Sequence, residues 1–403
     1  MKTGPLILAL LLAAAPAWAV ELSGTLDMRT VLSDGRDSWS RAGLGKLRYD
    51  RHNQGLRVGQ AVLRLDGELS DTVSATAIAS ADDQRSGVID LNEAWLRWNP
   101  VPRGPWKASV RAGAFFPHLS LENDGVGWTP TRSASTSAIN SWVGEELRTV
   151  GIELNLTRRG RPLGSEHDFG FTAAIHKAND PTGTLLTWRG WSISDRITGL
   201  SEALLLPELP VYRPDGPIRR QSRTIHVFRE LDGRLGYQAA AHYGYRGWLE
   251  LSAMKYDNRA DPRVFHDGQY GWRTRFQHLA AKVRQGEWEW LFQGMRGDTY
   301  MGRRAAGVDM QAWYLMGSRR MGAHRVSLRY DHFSAVDNDV IPADPNGERG
   351  RAVALAWTWQ HSPAWSVLAE ALVVDSVREA RALGGAASRQ TERSLTTALR
   401  YHF

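Results

Sequence analysis

The chain closes with Ser394–Phe403, SLTTALRYHF. Leu395, Thr397, Leu399, Tyr401 and Phe403 share one parity; Ser394, Thr396, Ala398, Arg400 and His402 share the other. Alternation with a period of two marks a strand with two unlike faces. Chain ends usually fray and are usually polar. A terminal strand with one apolar face, ending on an aromatic, has to pair with a neighbour and cover that face.

Moving back from the end, the same period recurs. In QAVLRLDGELSD, 60–71, Ala61, Leu63, Leu65, Gly67 and Leu69 oppose Arg64, Asp66, Glu68 and Ser70. In LRTVGIELNLT, 147–157, Val150, Ile152, Leu154 and Leu156 oppose Thr149, Glu153 and Asn155. HRVSLRYDHF, 324–333, sets Val326, Leu328 and Tyr330 against Arg325, Ser327, Arg329 and Asp331. AVALAWTWQ, 352–360, sets Val353, Leu355, Trp357 and Trp359 against small and polar neighbours. AWSVLAEALVV, 364–374, alternates more weakly, with Glu370 its one charge. Charges at every second position do not fit the core of a sandwich, but they fit a wet lumen.

Strands are predicted near 20–32, 59–70, 72–81, 88–99, 106–115, 147–157, 167–178, 233–244, 247–257, 272–284, 287–297, 307–319, 323–333, 351–361, 365–377 and 392–403. The stretch SRTIHVFRE, 222–230, reads as a further strand or as loop. DNRADPR, 257–263, and RRMGAH, 319–324, read as tight connections. Long ones are 33–58, 117–146, 179–232, 334–350 and 378–391. Short turns on one side and long loops on the other are the habit of a membrane barrel. The fold class expected is all-β: a transmembrane antiparallel barrel of 16 strands, 18 at most.

Composition agrees. The 403 residues carry no cysteine, which excludes disulfides, thiolate metal sites and a cysteine nucleophile. The formal charge is +7. MKTGPLILALLLAAAPAWA, 1–19, has Lys2, a short apolar run and the small-x-small step Ala17-Trp18-Ala19. It reads as a signal peptide cleaved between Ala19 and Val20. Residues 20–403 then form one barrel domain, with no coiled-coil stalk expected before it. No later apolar run is long enough for a membrane helix. Strands cross a membrane when they close and leave no free edge. The 17 Trp, 11 Tyr and 10 Phe suit interfacial girdles. Trp95, Trp98, Trp106, Trp248, Trp272, Trp288, Trp290, Trp357, Trp359, Trp365 and Tyr401 lie near strand ends and are expected there.

Catalytic signals are absent: there is no phosphate-cradling glycine loop and no paired-His zinc helix. No cofactor, no metal and no nucleic-acid partner is expected. Asp337, Asp339, Asp344 and Glu348 lack the regular ligand spacing of a calcium loop and read as a solvated acidic loop. The informative set is the inward-parity charges: Arg64, Asp66, Glu68, Glu93, Arg97, Lys107, Arg111, Glu153, Arg325, Arg329, Asp331 and Arg400. Arginine leads, and an arginine excess on a pore wall favours anions. Arg148 shares the outward parity and is expected to leave the membrane zone at its strand's start. Loop 117–146 is a constriction candidate, with Asn140, Glu145 and Glu146 able to face the arginines. Segment 179–232 is a second candidate for that role.

GAFFPHLSLEN (113–123), SAINSWVGEELRTVGIEL (137–154), TLLTWRGW (184–191) and LRYDHFSAVDND (328–339) resemble segments of a porin-like family of Gram-negative outer-membrane proteins, loosely akin to the phosphate-selective and general porins. The resemblance implies an outer-membrane barrel with a diffusion channel for small solutes, in contact with membrane lipid and lipopolysaccharide, and the trimeric state common among porins. It also implies that Tyr401 and Phe403 act as the terminal signal read by the barrel assembly machinery. It carries over no substrate. Inward lysines are scarce, Lys107 being the main one, so a phosphate-selective lysine cluster has no match. The function expected is passive diffusion through water, with no chemical step. Two alternatives are a rim enzyme such as a lipid hydrolase, disfavoured by the apolar outer parity, and a non-conducting adhesin or receptor barrel.

Overall fold

A computed structural model describes residues 20–85 and 89–403. The signal segment 1–19, with its cleavage step after Ala19, lies outside the described residues.

Sixteen antiparallel strands close into one barrel. They are β1 (Val20–Ser33), β2 (Gly55–Ser70), β3 (Val73–Ala81), β4 (Asp90–Trp98), β5 (Trp106–Phe115), β6 (Thr149–Arg158), β7 (His167–Lys177) and β8 (Gly236–Tyr245). The ring continues with β9 (Leu249–Asp257), β10 (Arg273–Gln285), β11 (Trp288–Met301), β12 (Ala306–Met321), β13 (His324–Asp337), β14 (Glu348–Gln360), β15 (Trp365–Arg378) and β16 (Arg389–His402). Every strand expected from the alternation is present. Each pairs with its sequence neighbours, and β16 returns to β1 with Leu26 opposite Tyr401 and Leu32 opposite Leu395.

One end of the ring has only the connections 71–72, 99–105, 159–166, 246–248, 286–287, 322–323 and 361–364. The other end carries 34–54, 116–148 and 178–235. DNRADPR belongs to this long-loop end: the connection 258–272 contains a small hairpin, Phe265–His266 against Gln269–Tyr270. SRTIHVFRE is loop, contributing only Thr224–Ile225 to a two-residue ladder with Leu204–Leu205.

Outward parity is mostly apolar and open to the surroundings, as at Leu355 (51% exposed) and Leu399 (46%), with polar positions such as Lys255, Gln277, Arg296 and Gln311 on β9–β12. Trp98, Trp106, Trp248, Trp288, Trp290, Trp357, Trp365, Tyr401 and Phe403 are exposed toward the short-turn end, a girdle of rings suited to a headgroup level. Two expected girdle members are elsewhere. Trp95 lies on the inner face, 5.8 Å from the Arg111 guanidinium. Trp272 is fully buried under the long loops.

The seam is fastened at the terminal residue. Gly24 N donates to Phe403 O at 2.9 Å, and Phe403 N to Gly24 O at 3.2 Å. A Cβ at Gly24 would lie 2.4 Å from the Phe403 ring and 2.5 Å from Val62 O. We expect Gly24→Val to weaken closure by roughly 1–3 kcal/mol, the usual cost of overpacking. The check is the temperature at which the refolded barrel loses its compact electrophoretic mobility in detergent. An unchanged temperature would show that the seam tolerates a displaced Phe403.

Candidate functional site

Two long connections turn into the barrel instead of covering it. Residues 132–149 and 179–199 are buried without interruption. The first contains helix α1 (Ala138–Glu146), started by Ser137, whose side chain accepts from Asn140 N. The second contains the short helix α2 (Thr184–Trp188). Backbone carried into a barrel must find partners for its N–H and C=O groups. Glu146 supplies many of them. Its carboxylate accepts from Gly183 N (3.1 Å), Leu185 N (2.9 Å), Leu186 N (3.2 Å) and Trp142 Nε1 (2.6 Å). Burial pushes its pKa up to about 7. Glu145 pairs with Arg189 of the second segment. Asn140 donates to Glu122 at 2.6 Å and to Gln293 at 3.1 Å. Asn140, Glu145 and Glu146 therefore fasten the inserted segments rather than face an arginine wall, and both candidate loops insert together.

The inner wall beneath them is apolar. Ile139, Trp142, Val143, Trp191 and Ile193 pack in one cluster with Tyr256, Phe276, Met295, Met310, Phe333 and Leu372 of the strands. Trp142 meets Trp191 and Phe276 edge-on, with centroids 6.1 and 5.7 Å apart. A buried Trp removes roughly 150–250 Å² from water, on the order of 4–6 kcal/mol before ordering costs. Sequence signals for this exist: the inward positions Met310, Ala312, Ala352, Ala354, Leu372 and Val374 are apolar, so these strands are apolar on both faces over part of their length.

Most charges in this packed half are paired, and Arg148 and Glu146 are held by neutral groups instead. Arg329 contacts Glu122 (3.2 Å) and Asp331 (2.8 Å) and donates to Ser135 O (2.6 Å) and Thr136 O (3.0 Å). Arg400 contacts Asp27 at 2.7 Å and Pro130 O at 3.0 Å. Arg148 turns inward, contrary to expectation. It donates to Asn92 O, Leu147 O and Thr198 O and lies 3.5 Å over the Phe116 ring. A cavity of about 30 Å³, lined in part by Arg29, Arg48, Asp195 and Glu370, has about the volume of one water.

The short-turn half is open. A cavity of about 460 Å³ is lined by His118, Asn155, Asp168, Thr172 and His242 among others. Arg64 pairs with Asp66 at 2.6 Å, and Arg111 with Glu153 at 2.7 Å. Glu93 accepts from Phe116 N at 2.9 Å; Glu68 is partly exposed. Among the described residues, neither half-buried Arg97 nor exposed Lys107 has a carboxylate within 4.0 Å. On the opposite wall Arg325 stands 3.6 Å from Glu289. Glu289, Lys282 and Arg132 also meet there, none of them among the residues expected to line the pore. Lys282 and Glu289 show the inward period on β10 and β11, whereas Arg132 lies in an irregular loop with no period to read.

The acidic stretch 337–348 is not simply solvated. Asp344 accepts from Trp188 Nε1 at 3.1 Å, and Glu348 is buried between Lys46 (2.5 Å) and Arg378 (3.2 Å). Asp337 and Asp339 accept backbone N–H groups of Asn346 and Ile341. Elsewhere Asp180, Glu230 and Asp232 bring carboxylate oxygens within 4.8 Å of one another. All three accept from backbone N–H groups: Asp180 from Leu231 and Asp232 and Glu230 from Ala178, across the two ends of the connection 178–235, and Asp232 from Arg234. Burial, with Glu230 and Asp232 alongside, pushes the Asp180 pKa up to about 7.

No family model and no curated protein matches this sequence. Solved structures do. An anion-selective porin from Comamonas acidovorans superimposes with a TM-score of 0.54 at 12% identity, over 96% of this chain and 100% of that one. The chain has the porin fold. The trimer form of OmpT, an outer membrane protein of Vibrio cholerae, matches at 0.54 and 10% identity, over 96% and 100% of the two chains. The outer membrane channel DcaP of Acinetobacter baumannii matches at 0.53 and 11%, over 96% and 97%.

Two tests address the inserted segments of this porin-fold chain. Glu146→Ala strips the acceptor from three backbone N–H groups and one indole. Each buried donor left alone costs about 1–3 kcal/mol, so we expect amides in 182–199 to exchange at least tenfold faster; unchanged rates would show that packing alone holds them. Asp180 gives a pH dependence. The folded chain keeps its proton up to about 7, whereas the unfolded group releases it near 3.8. In that window the folded state binds more protons, so its stability falls as pH rises from about 4 to 7. Asp180→Asn keeps an acceptor for Leu231 and Asp232, and we expect it to flatten this slope in thermal unfolding in detergent. An unchanged slope would assign the titration to another group.

Proposed function

We propose that the chain is an outer-membrane channel for passive diffusion of small polar or charged solutes, with a preference for anions. The carrying observation is a pair of cations in the open half: among the described residues, Arg97 and Lys107, beside the Arg111–Glu153 pair, have no carboxylate in contact. Uncompensated cations on a pore wall raise the local concentration of anions and lower their entry barrier. The porin fold supports the setting, and the aromatic rings at the short-turn end suit a membrane boundary. No step of the transport reading needs a nucleophile or a cofactor. Lipid, lipopolysaccharide, the assembly machinery and a homotrimer are the partners this reading includes.

One observation favours a second reading. Uninterrupted burial of 132–149 and 179–199 fills the long-loop half, as a non-conducting receptor barrel would require. Sixteen strands enclose a lumen too wide for strand side chains alone to fill; here loops fill its long-loop half. Planar-bilayer recording separates the two. The channel reading expects discrete conductance steps and a reversal potential of anion-preferring sign in a potassium chloride gradient. Replacing Arg97 and Lys107 by Gln is expected to move that potential toward cations. Arg329→Gln is expected to act on stability, since that side chain is locked in packing. An inserted, compact barrel without conductance would sink the channel reading and leave the receptor.

A further inference from the structure

Opposite Arg97 and Lys107, half the ring away, β10 to β13 gather cations around a single carboxylate. Glu289 Oε1 lies 2.6 Å from Arg132 Nε and 3.6 Å from Arg325 Nη1. Its Oε2 lies 3.3 Å from Lys282 Nζ and 3.6 Å from Arg284 Nε. Arg132 is shared with Asp124 (2.8 Å) and Arg284 with Glu250 (2.6 Å). Four cations thus meet three carboxylates, and among the described residues Lys282 and Arg325 have no acid within 4.0 Å but Glu289. The cluster faces the open half: side-chain exposure is 30% at Arg325 and 43% at Arg284, against 14% at Glu289.

We propose that this cluster is a docking site for the carboxylate of a small anionic solute, and that Glu289 is its built-in competitor. The proposal rests on the channel reading and names a solute class for it. Glu289 occupies the cradle as a tethered carboxylate, so the donor geometry already suits that group. Its tie to Arg325 is long and partly wet, and that to Lys282 is a single contact at 3.3 Å; wet pairs are weak. A carboxylate arriving from the lumen can take over these donors while Glu289 keeps Arg132. Neutralising the excess cation favours the exchange. The tethered acid keeps affinity modest, which a channel needs so that its solute leaves again.

Opposite effects from neighbouring residues test this. Acetate is titrated against the full-length refolded barrel in detergent micelles, and binding is read by saturation-transfer NMR. Glu289→Gln is expected to tighten acetate binding roughly fivefold, the ratio matching about 1 kcal/mol. Lys282→Gln and Arg325→Gln are each expected to weaken it by a similar factor. Unchanged or weaker binding in Glu289→Gln would overturn the competitor role. Undiminished binding in both cation variants would overturn the site, and this arm stands even where the Glu289 variant does not refold. The readout needs no conduction: acetate binding in a non-conducting barrel would leave the site and remove the channel, whereas conduction without binding would do the reverse.

Discussion

Backbone inserted into a barrel cannot leave its polar groups unpaired, and the arrangement inside this barrel follows from that constraint. A lumen side chain has water or a neighbour; an inserted loop brings an N–H and a C=O at nearly every residue as well. Here one carboxylate, Glu146, gathers three backbone donors of the second segment and an indole of its own helix. Arg329 and Arg148 supply the reverse service, each donating to several main-chain carbonyls. The charges buried between loop and wall act as solvent for backbone. That is why the inserted candidates Asn140, Glu145 and Glu146 make contacts to protein and not to a pore.

Ion pairing divides the lumen into two regimes. In the packed half, desolvation of a lone charge is expensive, and removing one partner of a buried pair typically costs about 3–5 kcal/mol. Arg329 accordingly meets two carboxylates, and Lys46 and Arg378 share Glu348. In the open half water screens each charge, so an unpartnered Arg97 or Lys107 is tolerated. A packed-half charge without an ionic partner, such as Arg148, is held by backbone carbonyls; in the open half such a charge faces water and acts on a solute.

Strand positions were legible because they depend on a local period. A wall with lipid on one side writes that constraint into every second residue, from Leu63 and Leu65 to Leu395 and Leu399. Inward parity was equally legible for Arg64, Arg97, Arg111 and Arg325. What those residues face was not, because that depends on chain far away in sequence. Arg329 and Arg325 are four residues apart on one face of β13, yet one is locked under Ser135 and Thr136 and the other is open to water. Trp272 misled for the same reason: an aromatic near a strand end has the same local sequence whether it sits at a membrane boundary or under a loop, whereas the inner position of Trp95 was legible in the parity it shares with Glu93 and Arg97. The signal passed over was the second apolar face of β12, β14 and β15. A strand apolar on both sides is covered on both sides, and in a barrel only inserted chain can cover the inner one.

One guanidinium ties the inserted segment directly to the cationic wall of the open half. Arg132 is the first residue of the buried run 132–149, and its Nε contacts Glu289 on the wall of the open half at 2.6 Å. Its Nη2 meets Asp124 of the same loop at 2.8 Å. Arg132 therefore holds the inserted segment to the wall where the cations collect. Any interaction that draws Glu289 away from Arg132 weakens a tether of the inserted segment, and by linkage anything that holds the segment in place favours Glu289 in its cradle. Charge balance at the open mouth and loop packing at the closed end are thus coupled through one contact. The strand period that fixes the barrel carries no trace of it, because Arg132 lies outside every strand.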